Sequence, residues 1–123
     1  VVSTFIDQAR RGLPYTIHGA GHQTRSFCYI TDLVRGLILL AESQEHGPFN
    51  LGNPEEVTIL ELCHLISDLS GNKTPPLFVT RPDGDPSRRC PDISKAKEKL
   101  GWSPTVELAT GLSKLLALPL HQT

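Results

Sequence analysis

Gly19-Ala20-Gly21-His22-Gln23-Thr24-Arg25-Ser26-Phe27 is a polar run opened by glycine, set between the apolar stretches Tyr15-Thr16-Ile17 and Phe27-Cys28-Tyr29-Ile30. Placed there, it reads as a turn between two strands. Glycine lacks a Cβ, so such a turn lets main-chain N–H groups come close to a ligand. Arg25 adds a planar, permanently charged fork suited to phosphate. With Arg88-Arg89 far downstream, the run points to a site for a diphosphate-bearing small molecule. It also fits a plain hairpin loop with a surface arginine, and on these residues alone that reading is the simpler one.

Upstream of the run, Val2, Phe5, Ile6 and Ala9 share one face of a helix from Val1 to about Arg11, closed by Gly12 and Pro14. Tyr15 to His18 then forms a short strand, and a second strand runs from Arg25 to Ile30. Thr31 and Asp32 can cap a following helix in which Leu33, Leu37 and Leu40 repeat at helical spacing beside Val34, Ile38 and Ala41. His46-Gly47-Pro48 breaks it. Phe49 to Leu51 reads as a brief strand entering the turn Gly52-Asn53-Pro54. Thr58-Ile59-Leu60-Glu61 is a capping box, with Ile59, Leu62, Cys63, Ile66 and Leu69 as the apolar face behind it and Gly71 as the stop. Leu77 to Thr80 is a strand, Arg81 to Pro91 a proline-punctuated polar loop, and Ser94 to Leu100 a short helix ended by Gly101. A last helix follows Trp102-Ser103-Pro104, from about Val106 to Ala117. Short strands alternating with several helices predict an α/β fold around a small sheet.

The 123 residues make one domain, spanning 1–123. A net charge of −1 argues against nucleic acid as a partner, which would call for a basic excess. Cys28, Cys63 and Cys90 are widely spaced and fit reduced thiols, with one bridge left open by the count. No stretch is apolar and long enough to span a bilayer, so no membrane contact is expected of this segment. The histidines and cysteines have no metal-ligand spacing, and Asp83-x-Asp85 is too short for a calcium loop. The chain opens on Val1, holds no methionine and starts within a helical pattern, which leads to the expectation that it belongs to a longer protein.

Six segments together resemble one family. They are Val1-Val2-Ser3-Thr4-Phe5, Gly19-x-Gly21-x-Gln23-Thr24-Arg25-Ser26-Phe27, Asp32-Leu33-Val34-x-Gly36-Leu37, Phe49-Asn50-Leu51-Gly52-Asn53-Pro54, Asp85-Pro86-x-x-Arg89-x-Pro91-Asp92-Ile93, and Lys95-Ala96-Lys97 through Leu100-Gly101-Trp102-x-Pro104. Their order is similar to the carboxy-terminal half of the extended short-chain dehydrogenases that act on nucleotide sugars, and among these the UDP-glucuronate decarboxylases (UDP-xylose synthases). The resemblance implies a small substrate-binding lobe whose amino-terminal Rossmann half, with its NAD and its Tyr-x-x-x-Lys pair, is absent from this sequence. Tyr15 and Tyr29 have no lysine four residues on.

No catalytic residue and no cofactor site is therefore expected within these residues, and the chain alone should be inactive. The implied partner is a UDP-sugar, and the whole enzyme is expected to be a homodimer, soluble, in the cytoplasm rather than the Golgi lumen. The substrate-binding set the resemblance implies is Arg25 and Arg89 near the phosphates, His18 beside the uracil, Gly19, Gly21 and Gln23 in the turn segment, and Asn50 close to the substrate. Asp92 either orients Arg89 or caps the helix that follows, and Trp102 is a packing anchor. Relatives usually carry tyrosine at His18, lysine at Cys90 and an acidic residue at Gly84. Two other readings remain: a nucleotide-sugar 4-epimerase or 4,6-dehydratase, and a non-catalytic module that binds a nucleotide sugar or another chain.

Overall fold

A computed structural model of the chain describes residues 1–119. In order, the elements are α1 (Val2–Arg11), β1 (Thr16–His18), β2 (Thr24–Arg25), α2 (Ile30–Glu42), β3 (Val57–Thr58), α3 (Ile59–Ser70), β4 (Leu77–Val79), α4 (Ser94–Leu100) and α5 (Leu108–Ala117). This is the small α/β fold expected. Its strands form two separate pairs, β1 with β4 in parallel and β2 with β3 antiparallel. Thr16 lies opposite Leu77 and His18 opposite Val79, while Thr24 faces Thr58. None of the described helices is long and apolar enough to cross a membrane.

The helices pack because each carries an apolar face of the right width. Phe5, Ile6 and Ala9 of α1 meet Ile59, Leu62, Cys63 and Ile66 of α3, with Tyr15, Ile17 and Leu112 completing the main core. Phe5, Ile17, Leu62 and Ile66 are fully buried, each contributing about 1.5–3 kcal/mol of hydrophobic stabilisation. The capping box forms as expected: Glu61 N–H donates to Thr58 Oγ1 at 3.0 Å, and Thr58 N–H donates to Glu61 Oε2 at 3.3 Å. At the far end of the core, Arg10 Nη2 donates to the carbonyls of Leu115 and Leu118, both at 2.6 Å. A cation there sits against the carbonyl end of α5, where the helix dipole favours positive charge. A second, smaller core gathers Ile93, Ala96 and Trp102 with Cys28, Leu39, Phe49 and Leu51.

Three expectations about elements are corrected. The strand expected over Arg25 to Ile30 is confined to Thr24–Arg25, since the antiparallel partner β3 is itself two residues long; Phe27 and Cys28 pack on the two cores instead. Phe49 to Leu51 forms no strand, because Phe49 and Leu51 pack as isolated side chains on the Trp102 cluster. Thr31 and Asp32 do not cap α2, which starts at Ile30 with no side-chain cap.

Asp32 has another task. Its carboxylate, 2% exposed, accepts from Thr105 N–H at 3.0 Å, Thr105 Oγ1 at 2.8 Å and Val106 N–H at 2.9 Å, with Arg35 at 3.4 Å. Burial works to raise its pKa, but these hydrogen bonds outweigh burial and hold it below the ordinary carboxylate value. Trp102, the packing anchor expected, donates its indole N–H to the Asp32 carbonyl at 2.9 Å. Because the folded-state pKa is depressed, the stabilisation is present above about pH 4 and is lost as pH falls through the folded value. D32N should therefore destabilise the protein by roughly 1.5–3 kcal/mol at pH 7. In melts recorded from pH 7 to pH 2, the variant should also lose part of the acid-induced drop in Tm; an unchanged profile would refute the clamp.

Candidate functional site

Two stretches more than fifty residues apart in the sequence come together to line one open cleft of about 540 Å³. One wall comes from β1 and β2, through Thr16, His18, Gln23 and Arg25; the other is the 81–91 loop, through Pro82, Asp85, Arg89, Cys90 and Pro91. The β1–β4 pairing delivers the start of that loop beside His18. Its far end is tied to β2, where Thr24 N–H donates to Ser87 O at 2.8 Å. Glu56 reinforces the tie by accepting Thr24 Oγ1 at 2.9 Å and both Nε and Nη2 of Arg88, at 2.7 and 3.0 Å. The hydrogen bonds from Arg88 and Thr24 hold the Glu56 carboxyl below its ordinary pKa. Arg88 is thus a largely exposed side chain whose ion pair with Glu56 anchors the loop.

Arg25 lies half-buried on the cleft wall. Its Nη1 donates to Thr24 O at 2.6 Å and its Nη2 to Asp85 Oδ1 at 2.7 Å. Those contacts use two of the five guanidinium N–H donors, leaving three. Arg89 is exposed in the same cleft, following Arg88, which pairs with Thr24 of β2, and among the described residues it has no ion-pair partner. Gln23 is 6% exposed and donates its amide to His18 O at 3.0 Å, which fixes the turn between them. His18 is exposed at the rim, with Nδ1 3.5 Å from Thr80 O, a contact too long to hold the ring firmly.

The cleft therefore brings together Arg25, Arg89, His18 and Gln23, and it leaves three other expected residues outside its lining. Gly19 N–H is bonded to Val79 O at 2.8 Å and so cannot cradle a phosphate. Gly21 is buried with φ +79, and a Cβ there would stand 2.9 Å from Ile17 Cγ2. Both glycines serve the turn's geometry. Asn50 donates Nδ2 to Asp92 O at 3.2 Å, next to the cleft-lining Pro91 but not itself part of the lining. Asp92 accepts the Ser94 N–H at 2.9 Å from one residue before Ile93, the N-cap of α4, rather than pairing with Arg89. Cys90 does line the cleft, its thiol directed to Pro54 O at 3.2 Å. All three cysteines are free. The residues missed in the sequence are Asp85 and Arg81, which pair across four positions of the loop, Arg81 Nε to Asp85 Oδ2 at 3.0 Å. Their spacing was the available signal.

A second cavity of about 290 Å³ lies between the 26–29 segment and α5, walled by Phe27, Tyr29, Leu108, Leu112 and Leu115, with Glu107 at its edge.

Comparison with known proteins follows the same outline. Residues 1–115 match the family model described as GDP-mannose 4,6 dehydratase. UDP-glucuronic acid decarboxylase 1 of Danio rerio is 50% identical over 116 residues, covering 94% of this chain and 28% of that protein. UDP-glucuronic acid decarboxylase 3 of Arabidopsis thaliana is 50% identical over 112 residues, with 91% and 33% covered. Among solved structures, UDP-glucuronic acid 4-epimerase from Bacillus cereus, in complex with UDP-glucuronic acid and NAD, superposes with a TM-score of 0.83 at 35% identity, covering 90% of this chain and 36% of that one. The UDP-glucose 4-epimerase of Thermotoga maritima, bound to UDP-glucose, gives 0.87 at 34% identity, with 91% and 36% covered. The chain spans about a third of the length of the proteins it matches.

The two kinds of glycine position give a direct test of the turn. Gly12 has φ +67 with open space around it, whereas Gly21 combines φ +79 with the Ile17 contact. G12A should carry only the left-handed backbone cost, about 1–2 kcal/mol. G21A should be clearly worse in urea denaturation, and equal losses would mean that the turn yields where it is drawn rigid.

Proposed function

Because the chain belongs to the GDP-mannose 4,6 dehydratase family, we propose that it is the UDP-sugar-binding part of an NAD-dependent UDP-glucuronate decarboxylase, and that it is inactive alone. The observation that carries this reading is the placement of Arg25 and Arg89 side by side in one cleft, each following a residue of the parallel Thr24–Arg88 bridge. Two neighbouring guanidinium groups suit a diphosphate, whose several oxygens can accept from both. His18 at the rim is the side chain available to stack on the base, and imidazole offers less area than the tyrosine usual in relatives.

In the whole enzyme NAD supplies the redox chemistry that makes the sugar acid prone to lose carbon dioxide. The described residues do not fit that cofactor. Gly19 N–H is already bonded to Val79 O, Gly21 is pressed against Ile17, and the parallel sheet has only two strands. This chain's contribution is to bind and orient the nucleotide end, so that the sugar projects toward groups it does not itself supply. The epimerase likeness supports a second reading, in which the same cleft serves a UDP-hexose 4-epimerase.

Calorimetric titration with UDP, UMP and UDP-glucuronate tests the binding role. UDP should bind more tightly than UMP, and R25A should weaken UDP binding by roughly 1.5–3 kcal/mol. R11A, which breaks only the exposed Arg11–Asp7 pair away from the cleft, should change it far less. A folded chain that binds no UDP, or an R25A variant with an unchanged Kd, would overturn the reading. His18→Tyr should strengthen UDP and uridine binding roughly two- to tenfold through added stacking; no gain would remove His18 from the base site.

A further inference from the structure

Two arginines from different parts of the chain meet on one carboxylate. Asp85 Oδ1 accepts from Arg25 Nη2 at 2.7 Å, Oδ2 accepts from Arg81 Nε at 3.0 Å, and the Asp85 main-chain oxygen accepts from Arg81 Nη2 at 2.8 Å. We propose that Asp85 is a positioning residue of the anion-binding cleft: backed by Arg81, it holds the Arg25 guanidinium fixed on the cleft wall for a diphosphate, although its own charge opposes that ligand.

The identification of the ligand rests on the reading above; the fixing of Arg25 rests on the geometry. Arg25 and Asp85 line the cleft, whereas Arg81 does not. Arg81 therefore acts from behind, packed on the Gly19 turn 3.4 Å from where a Cβ would lie. Its hydrogen bond, together with the charge of Arg25, keeps the Asp85 carboxyl below its ordinary pKa against the opposing effect of partial burial. The anion is thus present throughout the neutral range. A free arginine must surrender rotamer freedom when it grips a ligand, and one already anchored has little left to lose. Three of its five N–H donors remain for the diphosphate.

Charge and positioning predict opposite signs, which makes the proposal decidable. If Asp85 did no more than place a negative charge in the cleft, removing it would tighten binding of an anion. If it positions Arg25, removing the charge loosens the guanidinium and weakens binding.

The experiment is calorimetric titration of wild type and D85N with UDP and UMP, joined to ¹⁵N NMR of the arginine side chains without ligand. Positioning predicts that D85N binds UDP about tenfold more weakly, the loss of one charge-assisted hydrogen bond's worth of organisation, with UMP nearly unchanged. It also predicts hindered rotation of the Arg25 guanidinium in the free wild type, abolished in D85N. Equal or tighter UDP binding by D85N, or an equal loss for UDP and UMP, would overturn the proposal. Should the wild type bind no UDP, the diphosphate reading falls, and the NMR alone decides the positioning role. Should D85N fail to fold, the wild-type spectrum still decides: free rotation of the Arg25 guanidinium overturns the proposal, and hindered rotation sustains it.

Discussion

The carboxylate of Asp32 is where the two cores of this protein are joined. It sits in the first turn of α2, yet its partners are the hydroxyl and N–H of Thr105 and the N–H of Val106. That segment leads directly into α5, which carries Leu112 into the main core. The Asp32 main-chain oxygen meanwhile receives the indole of Trp102, the centre of the smaller core. A buried carboxylate is costly unless its lone pairs are filled. Here they are filled, and among the described residues no buried side-chain polar atom lacks a partner. Gly36, one turn along the same helix, completes the fit: a Cβ there would stand 3.0 Å from Trp102 Nε1.

The cleft depends on the same kind of long-range tie at its own scale. Neither wall is rigid by its secondary structure, since β2 is two residues long and the 81–91 loop is irregular. Rigidity comes instead from the parallel pairing at one end of the loop, the Thr24–Ser87 hydrogen bond at the other, and the Arg88–Glu56 pair beside it. Charged groups that look like ligand binders in the sequence thus divide into two tasks. Arg88 and Arg81 hold the loop, and Arg25 and Arg89 face the cavity. Composition and motif order could not make that division, because all four residues are the same type and three lie in one eleven-residue loop.

The helix α2 shows the limit of pattern reading from the other side. Leu37, Ile38, Val34 and Ile30 are at helical spacing, yet each is between 45% and 60% exposed. The buried positions of α2 are Asp32 and Gly36. Hydrophobic periodicity identifies the element as a helix, but the face turned inward is chosen by the partners it finds. Here the Trp102 segment offers hydrogen-bond donors and a flat ring, which a carboxylate and a glycine fit better than a leucine would.

What the sequence determined by itself were the features whose physics is local. The capping box at Thr58, the left-handed stops at Gly12, Gly71 and Gly101, the helical faces of α1 and α3 and the α/β class follow from residues a few positions apart. Ordered motifs, similarly, carried the family resemblance and singled out Arg25, Arg89, His18 and Gln23 as residues that belong together. Only the tertiary structure decided that Asp32 is a clamp rather than a cap, that the Gly19 N–H is taken by Val79 and Gly21 is pressed against Ile17, that Asn50 bonds Asp92, and that Asp85, backed by Arg81, meets Arg25 in the cleft. Each of those outcomes rests on a partner between four and seventy-four residues away, at Thr105 and Val106, Val79 and Ile17, Asp92, or Arg25. Distance along the chain carries no information about such meetings until the chain is folded.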